Sequence, residues 1–180
     1  ARCKAAFPEL KADFQKVAAQ LDKGNVTFNT SNPFNGRVES VTMSRAGFNE
    51  HIRSMLYSPQ TARWMPLAIH LAAEGEFSLF GTVAYQTFKQ REDAIARGMH
   101  FSVVCAEDVP FITEKEVAAA GQGTSYGLQR IRAYQDACKI WPATPANKQV
   151  LDPVNSNIPT LVVSGELDPV TPPFYAEEIL

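Results

Sequence analysis

The chain has 180 residues, enough for one compact domain or a core carrying a small insertion, with roughly 70% of the unfolded surface buried on folding. Hydrophobic residues make up 45% and charged residues 20%, an ordinary globular composition that excludes disordered and fibrous classes. Lys and Arg number 17 against 19 Asp and Glu, so no general positive field exists to collect nucleic acid or anionic lipid. The longest apolar stretches are short, such as Leu67 to Ala73 with His70 inside it, and none is long enough to cross a bilayer.

Ala1-Arg2-Cys3 has neither an initiator Met nor an apolar leader, which is expected of a processed or excised chain. From residue 7 onward, Phe7, Leu10, Phe14, Val17 and Leu21 recur at steps of three and four, predicting an amphipathic helix that ends near Gly24. Pro8 falls where a first helical turn tolerates it. Val26 to Phe28 and Val38 to Met43 are β-branched runs separated by Ser31-Asn32-Pro33-Phe34-Asn35-Gly36, which reads as two strands joined by a turn-rich loop.

Ser44 to Gly98 reads as helical. Ser44 can cap a helix carrying Phe48, Ile52, Met55 and Leu56. Ser58-Pro59 opens a second helix, which Pro66 breaks or restarts and Gly75 ends, and a third spans about 77–96. Phe101-Ser102-Val103-Val104-Cys105 has the pattern of a short buried strand, closed by Glu107-Asp108 and Pro110. Thr113-x-x-Glu116 is a capping box opening a helix through Ala120, and another helix is expected over Leu128 to Ile140. Ile158 to Val163 is the strongest strand signal, apolar throughout and closed by Ser164-Gly165, as a parallel sheet covered on both faces requires. Thr171-Pro172-Pro173 reads as an N-cap followed by a helix start, with only seven residues after it, so the native polypeptide is expected to continue.

Cys3, Cys105 and Cys138 are too few and too scattered for a zinc site. They leave two readings: free thiols in a reducing compartment, or one Cys105–Cys138 bridge with Cys3 left over, its partner lost to truncation. His51, His70 and His100 lack the Cys or carboxylate spacing of a metal site and read as packed or solvated side chains.

The segment from Pro159 to Pro173 is expected to deliver Asp168 onto a loop at the carboxyl end of a buried strand, where open α/β sheets carry functional groups. Here the sequence resembles the α/β-hydrolases, in which an acid in such a loop orients the histidine of a Ser…Asp…His set. The alternative is that Asp168, standing before a proline, only shapes the turn. Arg2-Cys3-Lys4-Ala5-Ala6-Phe7-Pro8, Leu56-Tyr57-Ser58-Pro59, Val104-Cys105-Ala106-Glu107-Asp108 and Ala137-Cys138-Lys139-Ile140-Trp141-Pro142 look like the secreted tripeptidyl- and prolyl-aminopeptidase-like (TAP-like) branch. The resemblance covers only that family's C-terminal half.

It implies an α/β fold: a partial α/β-hydrolase sheet at 99–180 under a mainly helical cap at 1–98. The parent would be a secreted or periplasmic serine hydrolase, an aminopeptidase acting through an acyl-enzyme without cofactor or metal. Its nucleophile would lie upstream and its histidine downstream, so this chain alone is expected to be inactive. Asp168 is the expected catalytic acid. Glu107 and Asp108 are candidates for binding the substrate's α-ammonium group, against the plainer reading of solvated loop charges. Phe34, Tyr57, Trp64 and Phe77 are candidates for lining an apolar substrate cavity, or else core.

Gly123-Thr124-Ser125-Tyr126-Gly127 is a literal G-x-S-x-G, yet an Ala-rich helix rather than a strand is expected before it, and no histidine follows Asp168. Ser125 is therefore not expected to be the nucleophile. The substrate is expected to be a peptide or a small amide or ester, and the protein partner the N-terminal half of the hydrolase core. No nucleic acid or membrane partner is expected, while exposed sheet edges would favour homo-oligomers. An ester hydrolase on the same scaffold and a non-catalytic binding module remain the alternatives.

Overall fold

The computed structural model describes residues 2–125 and 127–179, with backbone alone at 2, 90–93 and 150. The chain divides into two units, Ala1–Glu92 with Ser164–Leu180, and Asp93–Val163.

The first unit opens with α1 (Arg2–Ala6) and α2 (Leu10–Lys23). The expected helix over 7–21 thus begins later. A residue before proline is pushed away from helical angles, so the chain breaks at Phe7-Pro8 and restarts at Leu10. Strands β1 (Val26–Ser31) and β2 (Val38–Met43) pair antiparallel, from Val26 opposite Met43 to Ser31 opposite Val38. Their loop closes as its residue types predict. The side chain of Asn32 accepts from Phe34 N at 2.9 Å, that of Asn35 from Arg37 N at 2.9 Å, and Gly36 takes the positive φ of 70°.

Helix α3 (Arg45–Met55) starts at Ser44, whose Oγ accepts from Gly47 N at 3.1 Å. Short α4 (Pro59–Ala62) is capped by Ser58, and Pro66 restarts the chain within the first turn of α5 (Met65–Ala73), where its missing N–H costs nothing. Helix α6 (Ser78–Ala94) follows.

Val17, Leu21, Phe48, Met55, Ile69, Phe77 and Phe80 form the core of this unit, with Phe48 stacked on Phe80 at 4.9 Å and Phe77 on Phe28 at 5.3 Å. Helix α2 packs on α5, whose buried Ala68 and Ala72, four residues apart, present a small-residue face. The hairpin lies so close to α6 that a Cβ on Gly81 would stand 2.7 Å from the Phe28 ring. Thr30 anchors that contact by donating to Ser78 O at 2.7 Å.

The second unit is built differently. Helix α7 (Arg97–Val103) runs into a π-helical turn, Val104–Asp108, and a 3₁₀ turn, Val109–Phe111. The strand expected at Phe101 to Cys105 is therefore helical. Phe101 and Cys105, four residues apart, lie on one helical face. They meet the matching face of α9 (Gln129–Ile140): Phe101 lies 6.1 Å from Tyr134, and Cys105 is bonded to Cys138 with a Cα separation of 5.2 Å. A five-residue apolar run cannot by itself distinguish a strand from a buried helical turn, and the partner face decides. Phe101 also stacks at 5.4 Å on Trp141, just beyond α9.

Between them α8 (Glu114–Gly121) carries the full capping box: Thr113 Oγ1 accepts from Glu116 N at 3.3 Å, and Glu116 Oε2 accepts from Thr113 N at 2.7 Å. The chain after Trp141 returns to donate Ala146 N to Ala106 O at 2.9 Å, satisfying a carbonyl of the π-helical turn. A 3₁₀ turn, Lys148–Leu151, precedes a long irregular segment.

The second correction is the strand at Ile158 to Val163. This segment makes no ladder with any described residue, and Ile158, Leu161 and Val163 are 74%, 87% and 82% exposed. A parallel strand exists only through the hydrogen bonds of its neighbours, and β1–β2 is the only sheet among the described residues. The described residues are thus mainly helical with one antiparallel hairpin.

Candidate active site

Asp168 sits in the irregular loop that leads to α10 (Pro173–Glu177), where Asp168 N donates to Gly165 O at 3.1 Å to close a turn. Its carboxylate then closes the next one: Oδ1 accepts from Val170 N at 2.8 Å and Thr171 N at 3.0 Å, and Oδ2 accepts from Thr171 Oγ1 at 2.9 Å. Proline at 169 presets φ without removing either donor used here. The backbone amides of Thr171 and Val170, with the Thr171 hydroxyl, hold the Asp168 carboxyl below its ordinary range.

An ionised carboxylate offers about four lone-pair sites, and three of them are taken by these donors. The remaining site is on Oδ2. The local geometry thus orders the carboxylate and keeps it ionised, and it leaves one acceptor position on the oxygen that no backbone amide holds.

Thr171 is not the helix cap expected of it. The N-cap of α10 is Pro172, whose carbonyl accepts from Tyr175 N at 3.1 Å, and the Thr171 hydroxyl is turned to Asp168 instead. Pro172 precedes Pro173 and is therefore kept extended, which starts the helix one residue later and leaves the Thr171 hydroxyl outside the capping position. Asp168-x-x-Thr171 with proline between is the signal that identifies this pairing in the sequence.

Glu107 and Asp108 end the π-helical turn rather than a strand. Both are exposed, and neither makes a side-chain hydrogen bond or ion pair among the described residues. A π-helical turn carries an extra residue in the helical path, a device that recurs at functional sites. Here the buried Cys105, tied to Cys138, fixes its start.

Ser125 follows α8, a helix, so the strand-to-turn geometry of a nucleophile elbow is not formed there. Gly123 and Gly127 both have positive φ, and Tyr126 lies outside the described residues. His70 Nδ1 lies 2.8 Å from Asp13 Oδ2, linking α5 to α2. His100, which lies in α7 and not before a strand, approaches the Tyr134 hydroxyl at 3.0 Å. His51 packs edge-on to Phe80. Of the four aromatics considered for a substrate cavity, Phe77 is fully buried core, whereas Phe34, Tyr57 and Trp64 are exposed. Among the described residues, no group of three or more His, Cys, Asp or Glu is placed to hold a metal ion, and no helix is long and apolar enough to cross a membrane.

Neither a curated protein nor a solved structure matches this chain. A family model does match, over the stretch that contains Cys138, the exposed Ile158 to Val163 segment and the Asp168 turn. Residues 124–180 match the family described as TAP-like protein, and this part of the chain is similar to that family, in line with the resemblance in its sequence.

Proposed function

We propose that this chain forms the C-terminal part of a secreted or periplasmic serine hydrolase, an aminopeptidase that releases N-terminal residues or short peptides through an acyl-enzyme. The observation that carries the reading is the Asp168 carboxylate. It lies in the TAP-like segment, is held by three local donors, and has one acceptor site left on Oδ2. A catalytic acid needs those properties: ionised, fixed, and able to accept the Nδ1–H of a histidine so that the imidazole keeps the right tautomer and its positive charge is stabilised in the transition state. The serine and the histidine come from other parts of the parent protein, as in the resembling family. The chain by itself is therefore inactive, and Ser125 is not a nucleophile.

Glu107 and Asp108 are the groups proposed to bind the substrate's α-ammonium, supported by their exposure and by the lack of any cation paired with them among the described residues. The partner of the exposed 158–163 segment is the remainder of the hydrolase core. In its absence, copies of this chain self-associate through the same segment.

The test is Asp168→Asn in the full-length protein, assayed on aminoacyl and tripeptidyl amides and on short-chain esters. Asparagine keeps the Oδ1 acceptor for Val170 and Thr171, so the turn survives. At Oδ2 it puts an amide donor, which favours the wrong imidazole tautomer. The expected result is a kcat loss approaching ~10⁴-fold with little change in melting temperature. Near-normal kcat would make Asp168 a turn residue and remove the support for this reading. Faster turnover of esters than of amides would move the assignment to an ester hydrolase.

A further inference from the structure

Asn25-Val26-Thr27 and Asn29-Thr30-Ser31 are two Asn-x-Ser/Thr triplets within seven residues, and neither has proline in the middle position. In a soluble chain such triplets arise by chance, so the structural setting matters. Along β1 the side chains alternate, with Phe28 and Thr30 turned to the core and Thr27, Asn29 and Ser31 exposed. Asn25, two residues before Thr27 and just outside the strand, is exposed as well. Four residues of extended chain set Asn25 and Asn29 about 13 Å apart.

Neither asparagine's side-chain amide is engaged in any hydrogen bond among the described residues, in contrast to Asn32, Asn35 and Asn147, which serve their own turns. The opposite strand continues the same surface. Thr27 faces Thr42 and Asn29 faces Ser40, both exposed and uncharged, so nothing on this face would be buried or left unpaired beneath a bulky hydrophilic group. The Cys105–Cys138 bond independently calls for an oxidising compartment, the same setting in which N-glycans are attached.

We infer that the solvent face of the β1–β2 hairpin is a glycan-bearing face, with Asn25 and Asn29 the acceptors of N-linked oligosaccharide in a eukaryotic secretory pathway. The donor is an oligosaccharide linked to a lipid pyrophosphate. The asparagine Nδ2 forms a bond to the anomeric carbon, the bond from that carbon to the pyrophosphate oxygen breaks, the lipid pyrophosphate leaves with the electron pair, and the amide proton passes to a base of the transferase. The reaction precedes folding, and the fold then leaves both sugars in water rather than against the core. This assignment does not depend on the hydrolase reading.

The test is to secrete the full chain from a eukaryotic host, remove N-glycans enzymatically in heavy-oxygen water, and map each asparagine converted to heavy aspartate by peptide mass spectrometry. Heavy aspartate is expected at 25 and at 29. Thr27→Val should abolish the label at 25 alone and Ser31→Ala the label at 29 alone. Both variants keep the asparagines, and amide-exchange protection of α2 and α5 in the secreted material reports folding of the unit that carries the hairpin. Unmodified asparagine at both positions in secreted, disulfide-bonded chain overturns the proposal, and label at one position alone overturns the assignment of the other.

Discussion

Breaking the Cys105–Cys138 bond should unfold the Asp93–Val163 unit while the core of the first unit stands. The reason lies in how little else holds the second unit together. Among its described residues only Cys105 and Val117 are buried, at 4% and 3% exposure. A fully buried aliphatic side chain contributes about 1.5–3 kcal/mol. Phe101, Tyr134 and Trp141 are only partly covered, and their ring contacts add about 0.5–1.5 kcal/mol each beyond their area. The bridge spans 33 residues. Chain-entropy arithmetic puts a loop of that size between the ~3 kcal/mol of a fifteen-residue loop and the ~4.7 kcal/mol of a hundred-residue one, at about 3.7 kcal/mol. One covalent bond therefore matches or exceeds a whole core side chain in this unit. The first unit has its own cluster of large buried side chains and no disulfide among its described residues.

The assay is amide hydrogen exchange by mass spectrometry on oxidised protein, on protein reduced under native conditions, and on a Cys105→Ala/Cys138→Ala variant. Peptides from α7, α8 and α9 should lose protection by two to three orders of magnitude, on the order of the ~3.7 kcal/mol above, with α2, α5 and α6 unchanged. If α9 keeps its protection in both the reduced and the alanine forms, the packing of Phe101, Tyr134 and Trp141 is sufficient by itself and the reasoning fails.

Gly81→Ala should destabilise the first unit by about 1–3 kcal/mol in urea unfolding, because the new Cβ meets Phe28 and the hydrogen-bonded Thr30 at 2.7 to 2.9 Å. Gly98→Ala, in α7 with open space around its Cα, should be stabilising by about 0.5 kcal/mol, and the same sign for both would refute the packing argument. Ser44→Ala should cost about 1 kcal/mol through loss of the α3 cap, also read from urea unfolding. The Asp168 carboxyl should titrate below the ordinary aspartate range in carbon-detected NMR. A lowered folded-state value means that its contribution is present above the unfolded pKa and is lost as pH falls through the folded one. Thr171→Ala removes only the hydroxyl and keeps both backbone donors, so it should raise that pKa in part, and an unchanged titration would show that the hydroxyl does not help to hold the carboxylate. Sedimentation at tens of micromolar should reveal association through 158–163, and substituting Leu161 and Val163 by lysine should abolish it; a monomeric parent chain would refute that role for the segment.

Most of the local structure is legible in the sequence. Thr113 with Glu116, Ser44 ahead of Phe48, Pro66 inside a helical pattern, and the Asn-Pro-Phe-Asn-Gly turn act through bonds or steric limits within a few residues, so their outcomes do not wait for the rest of the chain. The helical spacing of Leu10, Phe14, Val17 and Leu21 belongs to the same class. Asp168 is legible in its sequence setting, whereas the Thr171 hydroxyl before Pro-Pro fits the rule for a helix cap and only the structure gives it to the carboxylate. The two misread strands share one cause. Phe101 to Cys105 and Ile158 to Val163 are short apolar runs, compatible with any environment that covers them. For the first, the face of α9 supplies that cover and makes the segment helical. For the second, no described neighbour offers a ladder of hydrogen bonds, so a sequence with strong strand preference is left irregular and exposed. Helix caps and turns close their own hydrogen bonds, whereas a strand borrows its bonds from chain that is distant in sequence, and only the tertiary structure decides whether that chain is there.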